Sequence, residues 1–327
     1  MIRVGIAGYG NLGKGTEAAV FNAPDMELKA VFTRREPGTL QIKTPGVPVI
    51  SFAQIIEYKD EIDVIINCGG SAADLPITTP MLAEYFNVVD SFDRHAKIPE
   101  HFAKTDECAK RGQRLAVIAA GWDPGLFSVA RLTMQAVLPG GAEHTFWGRG
   151  ISQGHSDAIR RIEGVEDARQ YTVPNAEALQ KARSGELIAA ATREKHRREC
   201  YVAAKEGADK DKIAEQIKTM PDYFADYNTD VTFVSAEQLR KEHSGLPHGG
   251  SVIHTGFTGF GGSTKHTMEY TLRLASNPEF TGSVLTAYAG AAFRLAQSGK
   301  TGCCTPFDIA PALLAGQTAE ALRLKFL

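Results

Sequence analysis

The stretch that decides the fold is IRVGIAGYGNLG, residues Ile2 to Gly13. Its apolar first half, Ile2 to Ala7, is typical of a buried parallel strand. In the GxGxxG that follows, the first glycine allows a tight turn, the second lets the backbone approach a pyrophosphate, and the third lets the next helix pack on the sheet. A helix from Leu12 to about Phe21 would point unpaired N–H groups at the phosphates. We therefore predict that a dinucleotide contacts Gly8, Tyr9, Gly10, Asn11, Leu12 and Gly13. The alternative is a glycine turn without a ligand, which the strand–turn–helix context disfavours.

The residues after the second predicted strand, Leu28 to Phe32, indicate which dinucleotide is bound. An enzyme that uses NAD usually has Asp or Glu at this strand end, where the carboxylate accepts hydrogen bonds from ribose hydroxyls. Here Thr33, Arg34 and Arg35 follow instead. A guanidinium pairs with a 2′-phosphate, which a carboxylate would repel. We therefore predict NADP. The alternative is that both arginines are solvated surface residues.

Length and composition set the class of protein. A chain of 327 residues suggests about two domains. A net charge of −2 provides no electrostatic basis for binding nucleic acid or an anionic membrane, and no apolar run approaches the ~20 residues of a membrane span. The first strand is predicted to begin at once, without room for a signal peptide, and the cysteines are 5 in number. We therefore expect reduced thiols and a cytoplasmic location.

Strand and helix patterns alternate up to about residue 120, which predicts an α/β fold with a Rossmann-type doubly wound parallel sheet. Further strands are predicted at Asp63 to Cys68, Asn87 to Asp90 and Leu115 to Ala119. Ligands of such sheets lie at the carboxyl ends of the strands. We therefore expect the cofactor crevice to be lined by Cys68, Gly69, Gly70, Ser71, Asp90, Ser91, Phe92, Gly121 and Pro124.

The pattern changes after Gly125, where a second α+β domain is predicted. Candidate strands are His144 to Gly148, Tyr201 to Ala204 and Val231 to Val234, and Asp209 to Met220 is a charged amphipathic helix. We assign residues 1–121 to the dinucleotide-binding domain and 122–276 to a domain for substrate binding and dimerisation. Residues 277–327 are helical again, and we expect them to pack back on the first domain.

Several segments together resemble the NADP-dependent meso-diaminopimelate dehydrogenases. They are Gly8 to Gly13, Arg34-Arg35, Gly121 to Gly125 (GWDPG), Thr145 to Gly148, Ser152 to Asp157 (SQGHSD), Thr219 to Tyr223, and Leu246 to Gly250. One departure is a longer stretch at Gly259 to Ser263. The resemblance implies reversible, NADP-dependent oxidative deamination of the D-centre of meso-2,6-diaminopimelate to L-2-amino-6-oxopimelate and ammonia. It also implies a homodimer and a role in lysine and diaminopimelate biosynthesis.

The resemblance places two carboxylates, Asp93 and Asp123, beside the reacting amine as catalytic groups that hold and transfer protons. Turn or helix capping is the alternative, because Asp before Pro is a common turn signal. Trp122 and Trp147 are implied as pocket walls. Without the resemblance, large aromatic side chains are more often core.

Further substrate contacts are implied at both ends of the ligand. Gln153, Gly154 and Asp157 would line the reacting end, in a loop before a helix predicted from Asp157 to Ile162; Asp157 could instead be its N-cap. For the distal end the resemblance implies Arg198 as a clamp for the carboxylate, with Thr172 and His248 as companions, and it implies Asn277 as a further substrate contact. The alternatives are a solvated basic face for the run ending at Arg198, a turn at His248, and an N-cap at Asn277.

No metal site is predicted, because the histidines lack helical spacing and have no cysteine pairs nearby. Two other functions stay open from the residues alone. One is another NADP-dependent reductase of aspartate-family amino acid metabolism. The other is a non-catalytic NADP sensor, which would not need Asp93 and Asp123.

Overall fold

The computed structural model describes residues 1–188, 191–221 and 223–327. Asp222, in one of the segments quoted for the family resemblance, lies outside the described residues. The chain divides into two compact units, Met1–Val129 with Pro278–Leu327, and Ala130–Asn277. The first unit extends beyond residue 121, where we had set the boundary, because Leu126 packs against its core.

The first unit contains strands β1 (Ile2–Ala7), β2 (Met26–Thr33), β3 (Val49–Ser51), β4 (Val64–Asn67), β5 (Asn87–Asp90), β6 (Leu115–Val117) and β14 (Gly302–Cys304). They form one parallel sheet in the order β14-β6-β5-β4-β1-β2-β3. This is the Rossmann order with one added edge strand. The α-helices are α1 (Asn11–Phe21), α2 (Leu75–Ala83), α3 (Ile98–Arg111), α10 (Asn277–Gln297) and α11 (Ala319–Phe326), while α4 (Leu126–Val137) crosses the boundary between the units.

Helices cover both faces of this sheet, as in a doubly wound fold, so both faces are buried. In β4, Val64 and Ile66 join a core cluster with Leu285 of α10. Ile65 points to the other face and joins a cluster with Leu82 of α2. Burial of each such side chain stabilises the fold by about 1.5–3 kcal/mol. The predicted fold class is confirmed for this part of the chain.

Helix α10 lies against helix α1 at unusually short distance. A Cβ added at Gly282 would come within 2.5 Å of the backbone nitrogen of Thr16, and one added at Gly15 would overlap the backbone at Pro278. Only glycines permit two helix backbones to approach this closely. The contact ties the C-terminal segment to the helix that follows the glycine loop.

The second unit contains two sheets. Strands β8 (Gly150–Ile151), β9 (Val165–Pro174), β10 (His196–Ala204) and β11 (Asn228–Phe233) form one in the order β11-β10-β9-β8. Strands β7 (Ala142–Trp147), β12 (His248–Thr258) and β13 (Thr264–Leu274) form the other in the order β13-β12-β7. Its α-helices are α5 (Gln153–Arg160), α6 (Ala176–Arg183), α7 (Thr192–Lys195), α8 (Lys210–Lys218) and α9 (Ala236–Glu242). Except for β10 with β11 the pairings are antiparallel, so the second unit is α+β as predicted.

Most predicted elements differ from the observed ones only at their ends, but one expected helix start and one of the alternatives were wrong. The helix predicted from Asp157 begins at Gln153, because the Ser152 side chain caps it by accepting a hydrogen bond from the His155 N–H. Asp157 is therefore not an N-cap. His248 is the first residue of β12 and not a turn residue.

Among the residues that the structure describes, no helix is both long enough and apolar enough to cross a membrane.

Candidate active site

The glycine loop between β1 and α1 has the geometry of a phosphate cradle. Gly8 has φ +93° and donates its N–H to the Phe32 carbonyl at 2.8 Å. A Cβ at Gly13 would overlap the Gly8 carbonyl, whereas a Cβ at Gly10 would meet nothing within 4 Å. No side chain caps the start of α1 at Gly10. The first turn of α1 therefore presents N–H groups toward open space, which fits an anionic pyrophosphate.

Of the two arginines after β2, Arg35 contacts this loop and Arg34 contacts the segment after β4. Arg35 donates from Nη2 to the Tyr9 carbonyl, and its own N–H bonds to Thr33 Oγ1 at 3.0 Å. Arg34 is 67% exposed and pairs with Asp74 Oδ2 at 2.8 Å. This ion pair joins the carboxyl end of β2 to the segment after β4. Two exposed guanidinium groups at the predicted position fit a 2′-phosphate.

Asp74 was missed by the sequence reasoning. Its carboxylate also accepts the Gly70 N–H at 2.8 Å, and Gly70 belongs to the predicted cofactor loop. Burial raises the pKa of Asp74, but the Gly70 hydrogen bond and Arg34 outweigh this and hold the pKa below its usual range. Because Asp74 directly precedes Leu75-Pro76, its sequence position suggests a helix cap. No neighbouring residue in the sequence indicates its ion pair with Arg34.

The side chain of Tyr9 is buried below the loop. Its hydroxyl donates to Glu17, which is 2% exposed and also accepts from Lys43 N–H at 2.7 Å and Thr44 N–H at 2.6 Å. Burial raises the pKa of Tyr9, and so does its hydrogen bond to Glu17. A cofactor contact at Tyr9 would therefore be made by its backbone. Glu17, like Asp74, is a polar residue whose contacts the sequence pattern did not reveal.

The loops after β4, β5 and β6 meet at the same edge of the sheet. Ser71 Oγ accepts the Asp93 N–H at 2.9 Å. Gly121 lies beside Ser91, since a Cβ at Gly121 would come within 3.8 Å of the Ser91 Cβ. The predicted residues Cys68, Gly69, Gly70, Ser71, Ser91, Gly121 and Pro124 all lie in these loops. The structure thus brings together the loop that carries Asp93 and the turn that carries Asp123.

Two predicted cofactor residues have side chains that point away from the crevice. Asp90 is 0% exposed, and its carboxylate is occupied by Thr79, His101 and two backbone N–H groups. Phe92 is 1% exposed and stacks on His101. Any contact of Asp90 or Phe92 with a cofactor would be made by the backbone.

The turn Gly121 to Gly125 is tightly closed. Gly125 has φ +133°, and a Cβ there would overlap the Gly121 carbonyl. The Phe127 N–H bonds to the Trp122 carbonyl at 2.8 Å, and the Trp122 ring packs edge-on against Phe127 with ring centroids 5.3 Å apart. Trp122 is 8% exposed, so most of its ring is core of the first unit. Asp123, between them, is half-buried.

In the second unit, three predicted substrate-binding residues and one glycine form a row across neighbouring strands. Arg198 of β10 is opposite Thr172 of β9, and Thr172 is opposite Gly150 of β8. The ring of His248 lies directly on Gly150, where a Cβ would come within 2.5 Å of the His248 Cγ. The row places three predicted distal-end residues, Arg198, Thr172 and His248, side by side.

Arg198 is the buried cation of this row. It is 7% exposed, donates from Nη1 to Thr172 Oγ1, and lies over the Tyr227 ring at 3.8 Å from its centroid. Its Nε is buried and has no hydrogen-bond partner among the described residues. Burial lowers the pKa of Arg198, because a charged guanidinium is poorly solvated there. A buried cation with an unused donor suits a ligand carboxylate. Tyr227 was not predicted, because its approach to Arg198 depends on the sheet register.

His155, in the first turn of α5, lies close enough to Arg198 for the charges of the two side chains to interact. Gln153, Gly154 and Asp157 are exposed here, and Asp157 pairs with Arg160. Burial, together with the positive charge of Arg198, lowers the pKa of His155 to about 4. His155 is therefore neutral at neutral pH, so the positive charge of Arg198 is not joined by a second one at His155.

Trp147 and Asn277 complete the predicted set. Trp147 is 38% exposed and stacks on His196, whose Nε2 accepts the Trp147 N–H at 2.9 Å. Asn277 is half-buried at the start of α10, and its N–H bonds to the Leu246 carbonyl at 2.8 Å.

Among the described residues, no cluster of three or more His, Cys, Asp or Glu side chains is arranged to hold a metal ion.

The chain is similar in sequence to characterised enzymes over its whole length. A family model for the diaminopimelic acid dehydrogenase C-terminal domain matches residues 121–276. The meso-diaminopimelate D-dehydrogenase of Acetivibrio thermocellus is 53% identical over 100% of this chain and 98% of that protein. The chain belongs to the meso-diaminopimelate D-dehydrogenase family. The family resemblance inferred from the sequence is thus confirmed.

Solved structures of similar proteins agree with the fold. A variant of the Clostridium tetani meso-diaminopimelate dehydrogenase, crystallised with DAP, has a TM-score of 0.93 and 50% identity, with 100% of both chains covered. An engineered D-amino acid dehydrogenase bound to NADP+ has a TM-score of 0.87 and 41% identity, covering 100% of this chain and 99% of that one. The departure at Gly259 to Ser263 forms the exposed tip between β12 and β13, at the opposite end of β12 from His248.

Proposed function

We propose that the protein is an NADP-dependent dehydrogenase that reversibly deaminates the D-centre of meso-2,6-diaminopimelate. The products are L-2-amino-6-oxopimelate and ammonia, and the reaction serves lysine and diaminopimelate biosynthesis. The observation that carries the proposal is the row His248, Gly150, Thr172 and Arg198, with a buried guanidinium whose Nε is unused. A reductase of substrates without a distal amino acid would have no use for this row.

NADP fits the first unit. The first turn of α1 would hold the pyrophosphate, and Arg34 and Arg35 would hold the 2′-phosphate. When bound, NADP+ accepts the hydride that leaves the substrate's D-α-carbon. Thr33, Cys68, Gly69, Gly70 and Ser71 would contact the remaining parts of the nucleotide.

The distal amino acid of the substrate would be held and not changed. The Arg198 guanidinium would pair with its carboxylate, while Thr172, already hydrogen-bonded to Arg198, keeps the guanidinium oriented. His248 and Asn277 would supply further hydrogen bonds. Because Arg198 is buried, its ion pair is screened less by solvent than a surface pair.

At the reacting end, Asp93 and Asp123 would handle protons. One carboxylate attracts the substrate ammonium and accepts a proton from it, and the other, still ionised, can accept a proton from the water that hydrolyses the imine. N–H groups at Gln153 and Gly154 would bind the adjoining carboxylate near the start of α5, and Asp157 would line the same end of the pocket, with Trp122 and Trp147 as apolar walls. Such fixed contacts raise the rate by holding the reacting carbon in one orientation.

We further propose a cytoplasmic homodimer. Strand β13 is an edge strand, and most of its residues are exposed, which leaves an unpaired face for a second copy. The described cysteines are all free thiols, which suits a reducing compartment. Light scattering coupled to size exclusion tests the dimer, and a mass of 35.3 kDa in dilute buffer would contradict it.

The activity is tested by NADPH formation with meso-diaminopimelate, L,L-diaminopimelate and D-alanine. We expect rapid turnover with the meso isomer and NADP+, little with D-alanine, and none with the L,L isomer, which lacks a D-centre. Equal rates with D-alanine and the meso isomer would contradict the distal clamp. No turnover of the meso isomer in either direction would contradict the function itself.

A further inference from the structure

Asp90, at the end of β5, is the most highly connected buried carboxylate near the predicted catalytic loops. It is 0% exposed. Its Oδ1 accepts the N–H groups of Phe92 and Ala119, each at 3.0 Å. Its Oδ2 accepts from the Thr79 hydroxyl at 2.7 Å and lies 2.8 Å from His101 Nε2. All four partners can donate to an ionised carboxylate, so each oxygen has two donors.

The two bonds of Oδ1 act on different loops. Phe92 directly precedes Asp93, so its bonded N–H fixes the start of that loop. Ala119 follows the end of β6 and has φ +56°, in the left-handed region that a non-glycine residue rarely adopts. The Asp90 carbonyl also accepts the Ala120 N–H at 2.9 Å. One residue therefore holds the bend from which the chain continues into the Gly121–Gly125 turn.

The two bonds of Oδ2 fix the carboxylate itself. Thr79 is on α2 and His101 is on α3, so both helices on this face of the sheet orient the same oxygen. The His101 ring also stacks on Phe92, with centroids 4.2 Å apart. Its Nδ1 has no partner among the described residues, so the hydrogen bond to Asp90 is the polar contact that orients the ring.

We infer that Asp90, supported by His101, is a positioning residue that sets the placement of Asp93 and Asp123 relative to each other. This inference rests on the catalytic roles proposed above for those two residues. Asp90 itself does not touch substrate or cofactor through its side chain. Loss of its carboxylate should leave the nucleotide loop intact and misplace the two acidic groups.

Asn87 provides a matched control for a merely structural role. It lies at the other end of the same strand and is also buried, 8% exposed. Its Nδ2 donates to the Asp63 carbonyl at 2.9 Å, and its Oδ1 accepts the Leu115 N–H at 3.0 Å. Like Asp90 it links β5 to its neighbours, but at the amino ends of the strands, away from the predicted catalytic loops.

The test compares Asp90→Asn with Asn87→Ala in the full-length protein. For Asp90→Asn we expect kcat per folded molecule to fall about 10- to 100-fold, because small misplacements of catalytic groups cost that much. The Kd for NADP should stay within about threefold. Hydrogen exchange at residues 91–93 and 119–125 should become faster with NADP bound. For Asn87→Ala we expect lower stability, a kcat within about twofold of wild type, and unchanged exchange at those segments.

The inference is wrong if Asp90→Asn leaves kcat and the exchange of both segments at wild-type values, or if Asn87→Ala reduces kcat equally. Asp93→Asn and Asp123→Asn, measured in parallel, separate this from the proposed function: if both retain wild-type kcat, the catalytic assignments fail, and the exchange data alone judge Asp90. Should Asp90→Asn not fold, His101→Phe keeps a ring against Phe92 and removes the donor to Oδ2. It should lower kcat about threefold or more with faster exchange at 91–93, and no change in either would overturn the inference.

Discussion

Replacing Arg198 by Met should separate substrate recognition from folding stability. The guanidinium is 7% exposed and its Nε is unused, so it is available for a charge-assisted contact with a distal carboxylate. Such a contact contributes about 2–3 kcal/mol, because hydrogen bonds to charged groups are stronger than neutral ones. At about 1.4 kcal/mol per tenfold, kcat/KM for meso-diaminopimelate should fall about 30- to 150-fold.

The same substitution should raise the folding stability or leave it unchanged. Arg198 is buried, so its charge is poorly solvated in the free protein, and this burial lowers the pKa of Arg198. A buried charge can often be exchanged for an apolar side chain of similar length at little cost. We therefore expect Arg198→Met to keep or raise the Tm, although it forgoes the hydrogen bond to Thr172.

The assay is initial-rate NADPH formation across substrate concentrations, alongside thermal unfolding. Arg197→Met is the matched control, because Arg197 is the adjacent residue of β10 but is exposed and pairs with Glu199. Its kcat/KM should stay within about twofold of wild type, as expected for surface pairs. If Arg198→Met also left kcat/KM unchanged, or reduced it equally for a D-amino acid without a distal carboxylate, the clamp would be refuted.

Three other predictions concern the cofactor, the helix contact and pH. Arg35→Ser should weaken NADP far more than NAD, measured as the ratio of the two Kd values; an unchanged ratio would contradict the 2′-phosphate contact. Gly282→Ala should destabilise the protein by about 1–3 kcal/mol, because its Cβ would press on the backbone of α1. Gly38→Ala, where a Cβ meets nothing within 4 Å, should change the Tm little. Burial lowers the pKa of both His155 and His196 to about 4, so the unfolded chain binds more protons between about pH 6.5 and 4. Folding stability should therefore decrease as the pH falls through that range, by up to about 3 kcal/mol for each histidine. Replacing either histidine by Gln should flatten the acid limb of the denaturation curve, and an unaltered limb would contradict the assignment.

The dinucleotide loop could be predicted from sequence because it is local. Strand, glycine turn and helix start all lie within Ile2 to Phe21, and each glycine has a steric reason that a short window reveals. Arg34 and Arg35 follow from the same logic, because they end the next strand. The partner of Arg34 does not, since Asp74 reaches it only through the parallel packing of β2, β1 and β4.

For the predicted substrate-binding residues, by contrast, the tertiary structure revealed more than the local sequence. The resemblance pointed to Arg198, Thr172 and His248, but nothing in their spacing predicts that they share a row. The register of β8, β9 and β10 and the absence of a side chain at Gly150 bring them together. The helix start at Gln153 was missed because Ser152 was not recognised as its cap.

The sequence alone therefore determined the doubly wound dinucleotide fold, the glycine loop and the preference for NADP, which carries a 2′-phosphate, over NAD. Only the tertiary structure decided which polar atoms are buried, which are paired, and which are left for a ligand. Turn chemistry and hydrophobic periodicity are properties of a few consecutive residues. The unused Nε of Arg198 and the four donors around Asp90 depend on strand register and helix packing, which join residues far apart in the chain.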